Sequence, residues 1–286
     1  RFSAQLGFVI EEDTLVGIQQ CKELLTHISK ERVRDEFLKI CLSPRPEHIT
    51  RLKDLGLLEY IIPDFIKAYE TPQNHPHHIY NVAEHTIVAM QNIEPTVRLR
   101  LTMLLHDIGK ISTRTTDKHH IDHFYNHPKK SVQIEGQVLR ELKFDNKMIK
   151  EVGLLILYHD HHINHTVNRV YVKKILRDIG VELFNDLLKV QLADAKAQNL
   201  NKLDSKIKLI EKQRKLMEDI LESGEPYQKS MMSITGVDLI EAGIPKGKEL
   251  GVLLDKALDK IIHSPEYNEK EKLIQYCTSL LERKSK

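Results

Sequence analysis

The 286-residue chain has no tryptophan, and only 6% of its residues are aromatic. A core built from such material packs through Leu, Ile and Val, which suits helices. The three cysteines, Cys21, Cys41 and Cys277, lie far apart and form no C-x-x-C pair. Neither a disulfide framework nor a thiolate zinc site is therefore suggested, and a reducing cytoplasm is the natural compartment. No apolar stretch approaches the ~18 residues that a spanning helix needs, so no membrane association is expected. The opening residues, RFSAQLGF, do not read as a signal peptide. Neither sign of charge dominates: the net charge is +2, which alone neither requires nor excludes a nucleic-acid partner. Sustained two-residue alternation is absent, as is any repeat of fixed period.

What is present is helical periodicity nearly throughout, and the expected class is all-α. Helices are expected over residues 14–26, 30–42 (with Ser29 as N-cap), 47–55 (stopped by Gly56), 78–92, 96–107, 128–142, 146–161, 168–179, 181–199 and 201–222. A small helical unit is expected over about 235–283. TPQNHPHH at 71–78 and ESGEPYQKS at 222–230 are the two clear breaks.

Histidine is concentrated: of 16 in the chain, 13 lie between His75 and His165, which points to a site in the middle. In VAEHTIVAM, His85 shares a helix face with Val82 and Ala89, so it points toward packed surface. Alone it reads first as a core histidine bonded to a carbonyl. His106 and Asp107 stand side by side in LLHDIGK, where an apolar helix ends. His127 opens another helix and His159–Asp160 close a third. Asp194 lies among Leu and Val in LADAKAQ, where an unpaired carboxylate is costly. One explanation serves the whole set: imidazoles and carboxylates from several helices converge on a divalent cation. Adjacent residues at a helix end diverge by ~100°, so His106 and Asp107 can reach one cation from two sides or bridge two.

The order of His85, His106–Asp107 and Asp194 resembles that of the HD-domain metal-dependent phosphohydrolases. His127 and His159 fall where two-metal members of that superfamily place extra ligands. Asp160 is read as orienting a ligand rather than binding metal. No GYP follows, which argues against the cyclic-dinucleotide branch. A second resemblance is more specific. RFSAQLGFVIEEDTLVGI, ISKERVRDEFLKI, LLEYIIPDF, TPQNHPHHIYNVAEHT, DHFYNHPKKS and TGVDLIEAGIPKGKELGVLLDKALDKII look like the bacterial CCA-adding tRNA nucleotidyltransferase and poly(A) polymerase family, from residue 1 almost to the end. This implies a helical body over 1–70, an HD domain over 71–200, a long connecting helix over 201–229 and a tRNA-gripping tail over 230–286. The family's polymerase head uses a Gly-Gly or Gly-Ser turn and a D-x-D carboxylate pair. This chain has none of these, so it is expected to be the portion that follows a missing N-terminal nucleotidyltransferase head, and not to add nucleotides itself.

A bound divalent ion lowers the pKa of its water and polarises phosphoryl oxygens. The mixed imidazole and carboxylate set fits manganese, iron, cobalt or nickel, with magnesium also allowed, as one ion or two. The expected reaction is hydrolysis of a phosphomonoester or a 2′,3′-cyclic phosphodiester, on an RNA 3′ end or a nucleotide. Asp107 and Lys110 are the expected catalytic residues, Lys110 either as a phosphate contact or as a solvated lysine after the helix stop, and His85, His106, Asp107, His127, His159 and Asp194 the expected ligands. Arg114, Lys246 and Lys248 are expected to meet phosphate or RNA, with tRNA as partner; Thr113 and Thr115 offer further donors. His75, His77 and His78 read as linker and substrate contacts, and His119, His120 and His123 as a loop bordering the site. The basic residues of 201–216 suit either a phosphate track or a solvated face. The alternative function is a non-catalytic HD scaffold that carries tRNA for the head.

Overall fold

A computed structural model describes residues 1–74, 79–161 and 166–282. These residues form fourteen α-helices, several short 3-10 turns and one two-stranded hairpin, so the chain is all-α. They divide into two compact units. The first comprises the described residues of 1–164 and 185–210, the second those of 165–184 and 211–286.

The first unit opens with α1 (Phe2–Leu6), α2 (Glu12–Cys21), α3 (Lys30–Cys41) and α4 (His48–Asp54). The helix expected over 14–26 is shorter than its pattern: α2 passes into a 3-10 turn at Lys22–His27. Its apolar face is only half-covered, with Leu15, Ile18 and Leu25 partly buried and Leu24 exposed. Ser29 precedes α3 in an extended conformation, as a cap should, but its side chain makes no capping hydrogen bond. Gly56 adopts φ 70° after α4, the left-handed stop that glycine permits.

The helices that carry the histidines follow. They are α5 (Val82–Gln91), α6 (Val97–Leu105), α7 (Lys110–Thr113), α8 (His127–Glu141) and α9 (Asn146–Tyr158). Between α7 and α8 lies an unexpected antiparallel hairpin, β1 (Thr115–Thr116) and β2 (Asp122–His123). One core joins α5, α6, α8 and α9 through Met90, Leu101, Leu104, Leu139, Val152 and Ile156, all nearly or fully buried.

Residues 169–196 form α10 (Arg169–Lys196), interrupted at Gly180, whose φ 76° and ψ 172° are not helical. Two helices meeting near residue 180 are what the sequence suggests. α11 (Leu203–Ser223) follows. The second unit's own core is built by α12 (Gly236–Glu241), α13 (Lys248–His263) and α14 (Lys270–Glu282) around Leu239, Leu253, Leu258, Ile261 and Leu273. No helix among the described residues is long and apolar enough to cross a membrane.

Candidate metal centre

α5 begins where Asn81 and Glu84 cap it reciprocally. Asn81 Oδ1 accepts from the Glu84 N–H at 2.8 Å, and Glu84 Oε2 accepts from the Asn81 N–H at 3.1 Å. His85 follows in the first turn, fully buried beside Val82 and Ala89. α6 ends at Leu105, so His106 and Asp107 occupy the turn beyond it rather than its last turn.

Gly109 explains why that turn is where the site forms. A Cβ on Gly109 would lie 2.4 Å from the His127 carbonyl oxygen and 2.6 Å from the Ser131 nitrogen. The Gly109 N–H donates to Ser131 Oγ at 2.9 Å. The start of α8 therefore lies against the His106–Asp107 turn and delivers His127 to it. His159 and Asp160 stand just past the end of α9, and Asp194 comes from α10.

All four imidazoles are oriented the same way. Nδ1–H donates to a backbone carbonyl in each: His85 to Ala197 at 3.1 Å, His106 to Met103 at 2.7 Å, His127 to Phe124 at 3.0 Å and His159 to Ile156 at 2.6 Å. A carbonyl oxygen can only accept, so Nδ1 carries the proton and the neutral ring presents its lone pair at Nε2. Second-nitrogen bonds of this kind fix metal-binding histidines.

The four Nε2 atoms face three carboxylates. His85 Nε2 is 2.9 Å from Asp194 Oδ1 and 3.4 Å from Asp107 Oδ2, and His106 Nε2 is 3.3 Å from Asp107 Oδ2. On the other side, His127 Nε2 is 3.2 Å from both Asp107 Oδ1 and Asp160 Oδ2, and His159 Nε2 is 3.7 Å and 3.6 Å from the same two atoms. Asp107 thus divides its oxygens between two groups. Three sets, His85–His106–Asp194, His106–Asp107–His159 and His127–His159–Asp160, are compact enough for each to surround a metal ion.

The electrostatics fit that use. Asp107 is 1% exposed. Neither of its oxygens has a hydrogen bond of good geometry among the described residues, although Lys110 Nζ stands 2.7 Å from Oδ2. Buried carboxylate oxygens in that condition call for a cation. Burial opposes charge on His106, but the Asp107 and Asp194 carboxylates outweigh it and raise its pKa to about 10. His127 follows the same logic, with Asp107 and Asp160 raising it to about 9 against burial. Burial pushes the Asp107 and Asp194 carboxyls up, yet the facing imidazoles, joined at Asp107 by Lys110, hold both well below the ordinary range. Asp160 is also held low, by His159 and His127 against burial. Without a metal, protons on His106 and His127 balance the carboxylates; a divalent ion would displace them.

All six residues expected as ligands are therefore brought together. Asp160, expected to orient a ligand, faces Nε2 of His127 and His159, whereas the carbonyls sit at Nδ1, so its geometry also suits a donor beside the expected six. Lys110 is 5% exposed, and its ammonium meets Asp107 and, at 2.9 Å, Gln73 Oε1. Burial works against its charge, but Asp107 and Asp160 raise its pKa overall.

The neighbouring loop residues have other partners. Arg114 Nε lies 3.0 Å from Asp122 Oδ2 within the hairpin. His123 Nε2 lies 2.9 Å from Asp117 Oδ2 and its ring stacks on Tyr125. None of His119, His120, His123 and Arg114 joins a metal group among the described residues. His75, His77, His78 and His162 lie outside the described residues. Lys246 and Lys248 are exposed beside and at the start of α13, in the second unit.

The sequence reading missed Gln73 and Gln198, and took Lys206 only as one of the basic residues of 201–216. Gln198 Nε2 donates to Asp194 Oδ2 at 2.9 Å, and Lys206 Nζ donates to Gln198 Oε1. The four-residue spacing from Asp194 to Gln198 was the available signal.

Two family descriptions match the chain. "Probable RNA and SrmB- binding site of polymerase A" covers residues 7–69, and "tRNA nucleotidyltransferase domain 2 putative" covers residues 124–277. Among curated relatives, a multifunctional CCA protein of Actinobacillus pleuropneumoniae is 29% identical over 56% of this chain and 42% of its own length. A CC-adding tRNA nucleotidyltransferase of Thermus thermophilus is 29% identical over 56% of this chain and 39% of its own. A CCA-adding enzyme of Lactobacillus johnsonii is 24% identical over 97% of this chain and 57% of its own. The chain thus spans 39–57% of the length of these relatives.

Proposed function

The chain belongs to the tRNA nucleotidyltransferase family of CCA-adding enzymes and poly(A) polymerases, and on that premise we propose that its histidine–aspartate cluster is an HD-type metal-dependent phosphohydrolase centre. Its substrates are phosphomonoesters or 2′,3′-cyclic phosphodiesters, on RNA 3′ ends or nucleotides. The observation that supports this most is the division of Asp107 between two groups of imidazoles whose Nδ1 atoms are all held by backbone carbonyls.

His85, His106, Asp194 and Asp107 Oδ2 would hold one ion; His127, His159, Asp160 and Asp107 Oδ1 would hold a second. Manganese, iron, cobalt, nickel or magnesium suits such donors. Such ions supply Lewis acidity toward a phosphoryl oxygen and an activated water. The protein's own part is orientation. Carbonyls fix the imidazoles, and Lys110 steadies Asp107. Burial of His85, His106 and Asp107 keeps bulk water from competing for their donor atoms.

The segments 1–70, 71–200, 201–229 and 230–286 are proposed as body, HD region, connecting helix and RNA-binding tail. Lys246, Lys248 and Arg114 are retained as proposed RNA or phosphate contacts, with a tRNA 3′ end as partner and the cytoplasm as compartment. These 286 residues hold no D-x-D pair, so nucleotide addition is assigned to a head outside them.

The reading is tested by hydrolysis of 2′,3′-cyclic AMP and of a phosphomonoester with the Mn²⁺-supplemented chain. Wild type should hydrolyse at least one of them. Asp107→Ala should lose more than about a hundredfold in rate, beyond what loss of an outer partner of a metal ligand costs. Equal inactivity of both proteins would instead favour a scaffold that carries tRNA.

A further inference from the structure

Two ammonium groups stand near the carboxylates of the cluster, and they are differently placed. Lys110 is buried and committed: it pairs with the Asp107 carboxylate at 2.7 Å, donates to Gln73 Oε1, and its ammonium lies 5.3 Å from the centre of the Phe124 ring. Lys206, near the start of α11, is half-buried. Its one hydrogen bond among the described residues goes to a neutral amide, Gln198 Oε1. No carboxylate among the described residues pairs with it.

Lys206 also stands on the side from which a substrate can come. Within the ligand set, His85 and Asp107 side chains are 1% exposed and His106 0%, whereas Asp194 is 10% and Asp160 22% exposed. Asp194 and Asp160 are the two carboxylates whose charge Lys206 feels most. Burial lowers its pKa despite them, and the like charges of Lys110 and Lys202 add to the lowering. A half-buried ammonium whose one hydrogen bond among the described residues goes to an amide has further N–H donors to offer, and an anion is a natural acceptor for them.

The amide between them has a definite orientation. An ammonium can only donate, so Oε1 of Gln198 faces Lys206 and Nε2 faces Asp194 Oδ2. Asp194 Oδ1 is left to face His85. The ammonium therefore sits one amide away from the cluster, on the solvent-facing edge.

We infer that Lys206 forms the anion subsite of this centre and binds the phosphoryl group of an incoming phosphomonoester or cyclic phosphate at the Asp160–Asp194 edge. The inference rests on the metal-centre reading above. It assigns the phosphate contact to Lys206 and leaves Lys110 to hold Asp107.

The test uses the full chain loaded with Mn²⁺, with inorganic phosphate as the probe. Metal content is measured by elemental analysis and phosphate affinity by calorimetry. In Lys206→Met, Mn²⁺ content and helicity should stay at the wild-type level while the phosphate Kd rises at least about tenfold, the worth of one charge-assisted hydrogen bond. Lys206→Arg should restore most of the affinity. An unchanged Kd in Lys206→Met overturns the inference while the metal centre stands. Loss of Mn²⁺ in Lys206→Met also overturns it, because Lys206 would then act through Gln198 on Asp194. A wild-type chain that takes up no Mn²⁺ overturns the metal-centre reading first and this subsite with it.

Discussion

Oδ1 of Asp107 lies 3.2 Å from Nε2 of His127, while its other oxygen faces His106 and His85. Asp107 is shared between two groups, but His127 belongs to one. The substitutions should therefore separate. His127→Ala should remove one ion per chain and leave the ion held by His85, His106 and Asp194. Asp107→Ala should disturb both. Elemental analysis of the two variants checks this, and equal stoichiometries would contradict the shared role of Asp107.

The metal-free site should be pH-sensitive in a definite direction. His106 and His127 have folded-state pKa values raised to about 10 and about 9, against about 6.5 in an unfolded chain. A raised pKa contributes stability that is fully present below about 6.5 and is lost as pH rises through 9–10. The metal-free protein should thus lose thermal stability between pH 7 and 10, and the Mn²⁺-loaded protein should lose less. Because the ions displace these protons, Mn²⁺ affinity should rise over the same interval, with about two protons released per chain at pH 7.5. Titration in buffers of different ionisation enthalpy measures that release. Binding without proton release would contradict the assignment of Nε2 as the donor.

Gly109 should be intolerant of any side chain. Its missing Cβ would sit 2.4 Å from the His127 carbonyl oxygen, and that atom is backbone, so it cannot swing aside. Gly109→Ala should destabilise the chain by about 1–3 kcal/mol, the usual range for overpacking, and should weaken metal binding on the His127 side first. Urea unfolding and metal analysis together read both effects. A wild-type unfolding curve would show that α8 has room to move.

Much of this was legible in the sequence, and the reasons for the rest are physical. Helical periodicity located α5, α6, α8 and α9, although only α8 and α9 hide a single face while α5 and α6 are buried on most sides, and His85 was assigned to the buried face on that pattern alone. The two-residue strands of the hairpin are too short to leave an alternation. The place of Asp160 opposite Nε2 was not legible, because adjacency to His159 does not tell which ring nitrogen a carboxylate faces. The particular places of Gln73 and Lys206 beside the cluster were not legible for a related reason. One lies in a polar loop and the other among the charges of 201–216, and only the packed chain brings them to Lys110 and Gln198. Gly109 was read as part of a helix stop, but its requirement comes from a carbonyl 18 residues away in sequence.

The central claim is that this chain holds divalent metal through His85, His106, Asp107, His127, His159, Asp160 and Asp194. The most direct measurement is the metal content of chelator-free wild type and Asp107→Ala after Mn²⁺ supplementation and dialysis. The account predicts about two ions per wild-type chain, as two donor groups sharing one carboxylate should hold, with a clear loss in Asp107→Ala at unchanged helicity. Wild type retaining no ion, or the two proteins retaining the same number, would contradict it.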